Sequence, residues 1–110
     1  MKTKKSWLEK LHENKGSKIK RIDIDFADIP SGSNMFIATP KIIDEYIKEI
    51  GFGKRTDLKT LRKDLAIEHN ADYTCPVTTG IFLRIVAEAN YEKLQQGIPL
   101  EEITPFWRVI

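Results

Sequence analysis

Residues 57–96 read DLKTLRKDLAIEHNADYTCPVTTGIFLRIVAEANYEKLQQ. Leu58, Leu61, Leu65 and Ala66 recur at the three- and four-residue spacing that lines up one face of a helix. Thr56 or Asp57 is placed to cap the free amides, so the spacing predicts a helix over about 57–69. Asn70-Ala71-Asp72 breaks it. Cys75-Pro76 starts a second helix, because the N–H that proline lacks has no helical acceptor in a first turn. Val77, Ile81, Leu83, Ile85, Val86, Ala89 and Leu94 supply apolar side chains, and Gln95-Gln96-Gly97-Ile98-Pro99 ends the helix near 96. Lys59, Arg62 and Lys63 fall largely away from the apolar stripe of the first helix. Helix, short turn and longer helix, with basic residues on the first, is the pattern of a helix-turn-helix module.

The segments on either side extend this reading. Thr39-Pro40 is a helix start, and Ile42, Ile43, Tyr46, Ile47 and Ile50 follow at helical spacing until Gly51-Phe52-Gly53. Ile22, Ile24 and Phe26 alternate with Asp23 and Asp25, which predicts a half-buried strand over 19–26 with both aspartates toward solvent. Residues 29–34 are a loop by composition, and Met35-Phe36-Ile37 adds a short extended piece. Trp7, Leu8 and Leu11 share a face of a short helix over 3–13, with Trp7 as its anchor to the body. Leu100–Ile103 is a single turn, and Thr104–Ile110, aromatic and β-branched, is expected to be extended. The expected class is mainly α (α+β), a winged helix-turn-helix-like domain with short strands at 19–26 and 104–110. Its parts are a basic arm and strand region over 1–38, packed on the same domain, and the helix-turn-helix over 39–110.

A chain of 110 residues with 41% hydrophobic and 31% charged residues suits one domain with its own core. Its single cysteine, Cys75, excludes an intrachain disulfide, and His12 and His69 are not at zinc-ligand spacing. No cofactor or metal is expected. The lysine-rich start lacks the apolar stretch of a signal peptide, and no run has the length of a membrane span, so the cytoplasm is the expected compartment and no membrane partner is expected.

The net charge of +2 conceals an asymmetry. Residues 1–21 carry eight Lys/Arg and two Glu, and residues 54–63 carry Lys54, Arg55, Lys59, Arg62 and Lys63 against Asp57. The first block reads as solvated surface. The second sits on the leading helix of the module, where cations contact the DNA backbone. Thr78, Thr79 and Arg84 on the second helix are placed to approach a groove. Double-stranded DNA is therefore the expected partner.

Three segments carry a family resemblance. Gly53-Lys54-Arg55-Thr56 is similar to a Gly-Lys-x-Thr approach to a first recognition element. Gly80-Ile81-Phe82-Leu83-Arg84 is similar to the glycine-containing start of a recognition helix. Thr104-Pro105-Phe106-Trp107-Arg108-Val109-Ile110 is similar to an active-site strand Ile-Pro-Cys-His-Arg-Val-Ile. In order and spacing, residues 39–110 resemble the DNA-binding domain of the methylated-DNA–protein-cysteine methyltransferases and the related alkyltransferase-like proteins. The resemblance implies a DNA-binding role in repair or lesion sensing, with Phe106, Trp107 and Arg108 at the former alkyl pocket.

The departures bear on the chemistry. The family's acceptor cysteine aligns with Phe106 and its activating histidine with Trp107. Alkyl transfer requires a thiolate and a base to form it, and neither ring supplies one. The groove-reading tyrosine falls near Leu58, and the arginine that replaces a flipped base in the stack falls near Val77. Three readings follow: a non-catalytic DNA-binding protein; a protein-interaction or structural domain that retains the scaffold, with Tyr91, Leu94, Ile98 and Leu100 as a partner surface; and, least favoured, an enzyme that uses Cys75 at the start of the second helix.

Overall fold

Thr39-Pro40 does start a helix. The Thr39 hydroxyl accepts the Ile42 N–H at 3.2 Å, and Pro40 occupies the first position of α2 (Pro40–Lys48). Asp57 caps α3 (Leu58–Glu68) by accepting the Thr60 N–H at 2.7 Å. Pro76 opens α4 (Pro76–Gln95), the longest element. The computed structural model describes residues 6–12 and 16–109. These also include α1 (Trp7–Leu11), β1 (Lys18–Arg21), β2 (Asn34–Ile37), β3 (Tyr73–Thr74) and two single 3-10 turns, Leu100–Glu102 and Phe106–Arg108. The architecture is α+β, with helices dominant over a three-stranded sheet.

The ends of α3 and α4 have the same chemistry. After α3, Asn70 takes φ +58 while Ala71 N–H reaches Ala66 O at 2.9 Å and Asn70 N–H reaches Ile67 O at 3.3 Å. After α4, Gly97 takes φ +89 while Ile98 N–H reaches Lys93 O at 3.0 Å and Gly97 N–H reaches Leu94 O at 3.1 Å. Both are Schellman ends, which need a residue that tolerates the left-handed region.

The connection from α3 to α4 is more than a turn. Its Tyr73–Thr74 segment, β3, pairs parallel with β2, setting Met35 opposite Tyr73 and Phe36 opposite Thr74. β1 pairs antiparallel on the other side of β2, with Ile19 opposite Phe36. All four residues of β1 are exposed, three of them cationic, which discourages a further strand from pairing at that edge. The sheet order is β1-β2-β3, so the α3–β3–α4 segment is tied to the first third of the chain.

The larger of two buried clusters holds the helices together. Leu11, Phe36, Ile43, Ile47, Leu61, Leu65, Val86 and Ala89 are buried in one cluster. Each fully buried Leu or Ile contributes roughly 1.5–3 kcal/mol of burial free energy. The His69 ring stacks on Phe36 with centroids 4.1 Å apart, so His69 is half-buried as the cap of α3 and not a free surface residue. α1 has only five residues and holds its form through packing on α4. Glu92 of α4 accepts the Trp7 N–H at 3.0 Å and the Leu8 N–H at 3.3 Å. Residues 3–5 and 13 of the expected first helix lie outside the described residues.

Two expected strands are corrected. Over 19–26 the strand stops at Arg21, and the chain bends through 22–28. The Asp25 carboxylate accepts the Ser31 N–H at 2.8 Å, which folds the segment back on itself. Ile22 is buried, but Ile24 is 76% exposed, and Ile29 takes the inward place instead. Over 104–109 the chain makes a 3-10 turn at Phe106–Arg108, and its only extended feature among the described residues is a bridge between Thr56 and Val109, while Ile110 of the expected strand lies outside the described residues. Thr104 is pinned to the core and Arg108 to Ile50 O, which leaves too short a span for a strand.

Tyr46 links α2 to α3 by donating to Asp64 at 2.5 Å. Burial pushes its phenol up to about 12, and the Asp64 carboxylate adds to the effect. Because the folded value is raised, the contribution to stability is complete below pH 10 and is lost as pH rises through the folded value. In a spectrophotometric titration, one of the three tyrosines ionises near pH 12, and Tyr46→Phe removes that step. A Tyr46 phenol that ionises near pH 10 would contradict this arrangement.

Candidate nucleic-acid interface

The expected phosphate contacts divide into three kinds. Lys54 and Arg55 are exposed in the turn after Gly53, whose φ of +76 requires glycine there. Lys59 and Lys63 are exposed on α3, and no carboxylate among the described residues pairs with either. Arg62 differs. Its Nε donates to Thr74 O at 3.1 Å, and its two terminal nitrogens donate to the Asp28 carboxylate at 2.9 and 2.8 Å. The Thr74 hydroxyl returns a bond to Arg62 O at 2.7 Å. Arg62 therefore joins α3, β3 and the 22–33 loop, and its side chain is 15% exposed.

Lys59, Arg62 and Lys63 do come together, lining one concavity of about 560 Å³ with Asp28, Asp72, Tyr73 and Thr74. Lys54 and Arg55 lie outside it. The Arg62 guanidinium beside Asp28 holds its carboxyl below the usual range, so the pair is ionised at neutral pH.

On α4 the expected groove contacts are partly overturned. Thr79 is 0% exposed and its hydroxyl donates to Cys75 O at 2.6 Å, so it faces the core and cannot reach a groove. Thr78 is half-buried, with its hydroxyl oxygen enclosed and without a partner among the described residues. Arg84 is exposed, with its guanidinium 5.5 Å from the Trp7 ring, where Lys10 also sits at 4.3 Å. The exposed face of the first half of α4 is Val77, Gly80, Ile81 and Arg84, at helical spacing. A Cβ at Gly80 would meet nothing within 4 Å, so this face is slim and open.

The tail forms a second site. Pro105, Trp107 and Arg108 line a concavity of about 630 Å³ with Lys48, Phe52, Leu100, Glu101, Glu102 and Ile103. Arg108 donates to Ile50 O at 2.7 Å and lies 5.7 Å from the Phe52 ring. Phe106, expected in the same pocket, packs edge-on against Trp107 and is not part of this lining. Among the described residues, no sulfur or imidazole lines this concavity. Cys75 is buried against Ile22, Ile29 and Met35 and lines neither concavity, which removes the access that a nucleophile needs. Among the described residues no three His, Cys, Asp or Glu side chains are grouped to hold a metal, and no helix is long and apolar enough to cross a membrane.

A buried network behind the tail was missed from the sequence. Asp44, Asn90 and Thr104 join α2, α4 and the tail. The Thr104 hydroxyl donates to Asp44 at 2.6 Å, Thr104 N–H donates to Asn90 Oδ1 at 3.0 Å, and Asn90 Nδ2 donates to Val86 O at 2.8 Å. Lys48 pairs with the second Asp44 oxygen at 3.1 Å. Asn90 did carry a signal, since it shares a helix stripe with Val86 and Ala89 and so was bound to face inward. Asp28 carried none, because its partner is 34 residues away across a loop. Comparison of the chain with family models, curated proteins and solved structures finds no match to any of them.

Proposed function

We propose that this chain binds duplex DNA without catalysing a reaction on it, in the manner of a winged helix-turn-helix. The observation that carries this reading is the arrangement around α3 and α4. Exposed Lys54, Arg55, Lys59 and Lys63 border the first helix, and β3 connects that helix to a second one with an open face of Val77, Gly80, Ile81 and Arg84. The cations position the backbone, and the slim face approaches the groove. The resemblance of residues 39–110 to alkyltransferase-like proteins supports the same reading and favours a role in DNA repair or lesion sensing in the cytoplasm. The Phe106 and Trp107 rings argue against alkyl transfer, since neither supplies a nucleophile.

Counterion release gives the direct test. With about four phosphate contacts, log affinity falls against log salt with a slope of about −4. Affinity that does not respond to salt would contradict the proposal.

One observation favours a second reading, a protein-interaction surface at the tail. Phe52 is 94% exposed beside Leu100 and Trp107. Aromatic side chains this open are common anchors at protein interfaces. Substitution of Phe52 and Trp107 by alanine leaves DNA affinity nearly unchanged on the first reading. On the second, the same substitutions abolish partner binding.

A further inference from the structure

The concavity between α3, β3 and the 22–33 loop is built like an oxyanion site that the protein fills itself. Arg62 has a hold that does not involve Asp28: its Nε donates to Thr74 O at 3.1 Å, and the Thr74 hydroxyl fastens the Arg62 backbone carbonyl at 2.7 Å. That leaves the two terminal nitrogens as a fork, and the Asp28 carboxylate occupies both prongs at 2.9 and 2.8 Å. A guanidinium receives a carboxylate and a phosphate in the same bidentate geometry. Lys59 and Lys63, one helical turn before and one residue after Arg62, line the same space. The other acid there, Asp72, is engaged by the Asn34 N–H at 2.8 Å.

Asp28 is suited to leave. Its side chain is 63% exposed, so water and competing anions reach the pair, and exposed ion pairs add little to stability. It sits at the tip of a two-residue turn closed by Phe26 N–H to Ile29 O at 2.9 Å and Ile29 N–H to Phe26 O at 2.8 Å. Ala27 in that turn takes φ +52, a left-handed conformation that a residue with a Cβ rarely adopts. The turn is anchored by Ile29, which is buried with Ile22, Met35 and Cys75, so the tip can move while its base stays in place.

We propose that Asp28 is an internal stand-in for a DNA phosphate, and that binding displaces it so that Arg62 takes a backbone phosphate beside those held by Lys59 and Lys63. This rests on the DNA-binding reading above. In the free protein the Asp28 carboxylate blanks the strongest phosphate-binding group of α3 and lowers affinity for any polyanion that cannot displace it.

The test is duplex binding by fluorescence anisotropy for Asp28→Asn against Asp23→Asn. Both remove one negative charge from the same loop, but Asp23 makes no contact with Arg62. Asp28→Asn is expected to raise affinity about tenfold with little change in the salt slope, because Arg62 meets the phosphate in both complexes, while Asp23→Asn changes affinity about twofold. The 13C resonance of the Asp28 carboxyl, followed in the wild-type protein, moves to a free-carboxylate position on saturation with duplex. That readout does not depend on how the variant folds. Equal effects of the two substitutions and a stationary Asp28 resonance, in a protein that still binds DNA through Lys59 and Lys63, overturn the stand-in and leave the DNA reading intact. Absence of duplex binding by all of these proteins overturns both.

Discussion

Replacing Asn90 with alanine lowers the stability of the domain by about 3 kcal/mol, measured as the denaturant midpoint at unchanged slope. Asn90 is 0% exposed and uses both ends of its amide. Its oxygen accepts Thr104 N–H at 3.0 Å, and its nitrogen donates to Val86 O at 2.8 Å, with a longer approach of 3.4 Å to Asp44. Alanine leaves the buried Thr104 N–H without a partner, and each such orphan costs roughly 1–3 kcal/mol. It also opens a void beside Val86 and Ala89. The loss is not uniform. Thr104 is the point at which the tail is fastened, so residues 104–109 lose amide protection before α2 and α3 do. A destabilisation below 1 kcal/mol, or a tail that keeps its protection, would show that this network does not hold the tail.

Reversing Lys59 and Lys63 together to glutamate lowers duplex affinity on the order of 100-fold at moderate salt. Two phosphate contacts become two repulsions. Both side chains are exposed and neither pairs with a carboxylate among the described residues, so stability changes within about 0.5 kcal/mol. Arg62 does not belong in this pair. Its bonds to Asp28 and Thr74 join α3 to the loop and to β3, so reversing it would confound binding with folding. Sequence preference is expected to stay the same, because phosphate contacts position the protein without reading bases.

The helices were legible from the sequence, and the reasons are local. Thr39-Pro40, Asp57 and Pro76 mark helix starts by chemistry within one turn, and Asn70 and Gly97 mark ends in the same way. Ile43, Ile47, Leu61 and Leu65 repeat at helical spacing and are buried as that spacing requires. The strands were not legible, since their reasons are distant. β3 exists because Tyr73 and Thr74 find β2, and no property of two residues announces a partner almost 40 positions earlier. Ile22, Ile24 and Phe26 alternate as a strand would, yet the Asp25 bond to Ser31 turns the chain and leaves Ile24 in water.

The candidate site shows the same division. Lys59 and Lys63 lie away from the apolar stripe of α3, which the spacing of Leu58, Leu61 and Leu65 already required. Thr79 was misplaced because a hydroxyl on a helix has two uses. It can face a groove, or it can return a bond to the carbonyl four residues back, and here Cys75 O receives it. Arg62 reads as one more surface cation in the sequence. Only the packing of the 22–33 loop against α3 turns it into a clamped fork, and that loop pairs with α3 through a contact 34 residues long.

The measurement that bears most directly on DNA binding is a salt titration of duplex affinity for the wild-type chain and Lys59→Glu/Lys63→Glu side by side, on plain and alkylguanine-containing duplexes. The expected result is a log–log slope of about −4 for the wild type and about −2 for the double variant, with the two curves converging at high salt. Matching curves with no dependence on salt would contradict DNA binding through α3 and would favour the protein-interaction surface at Phe52 and Trp107.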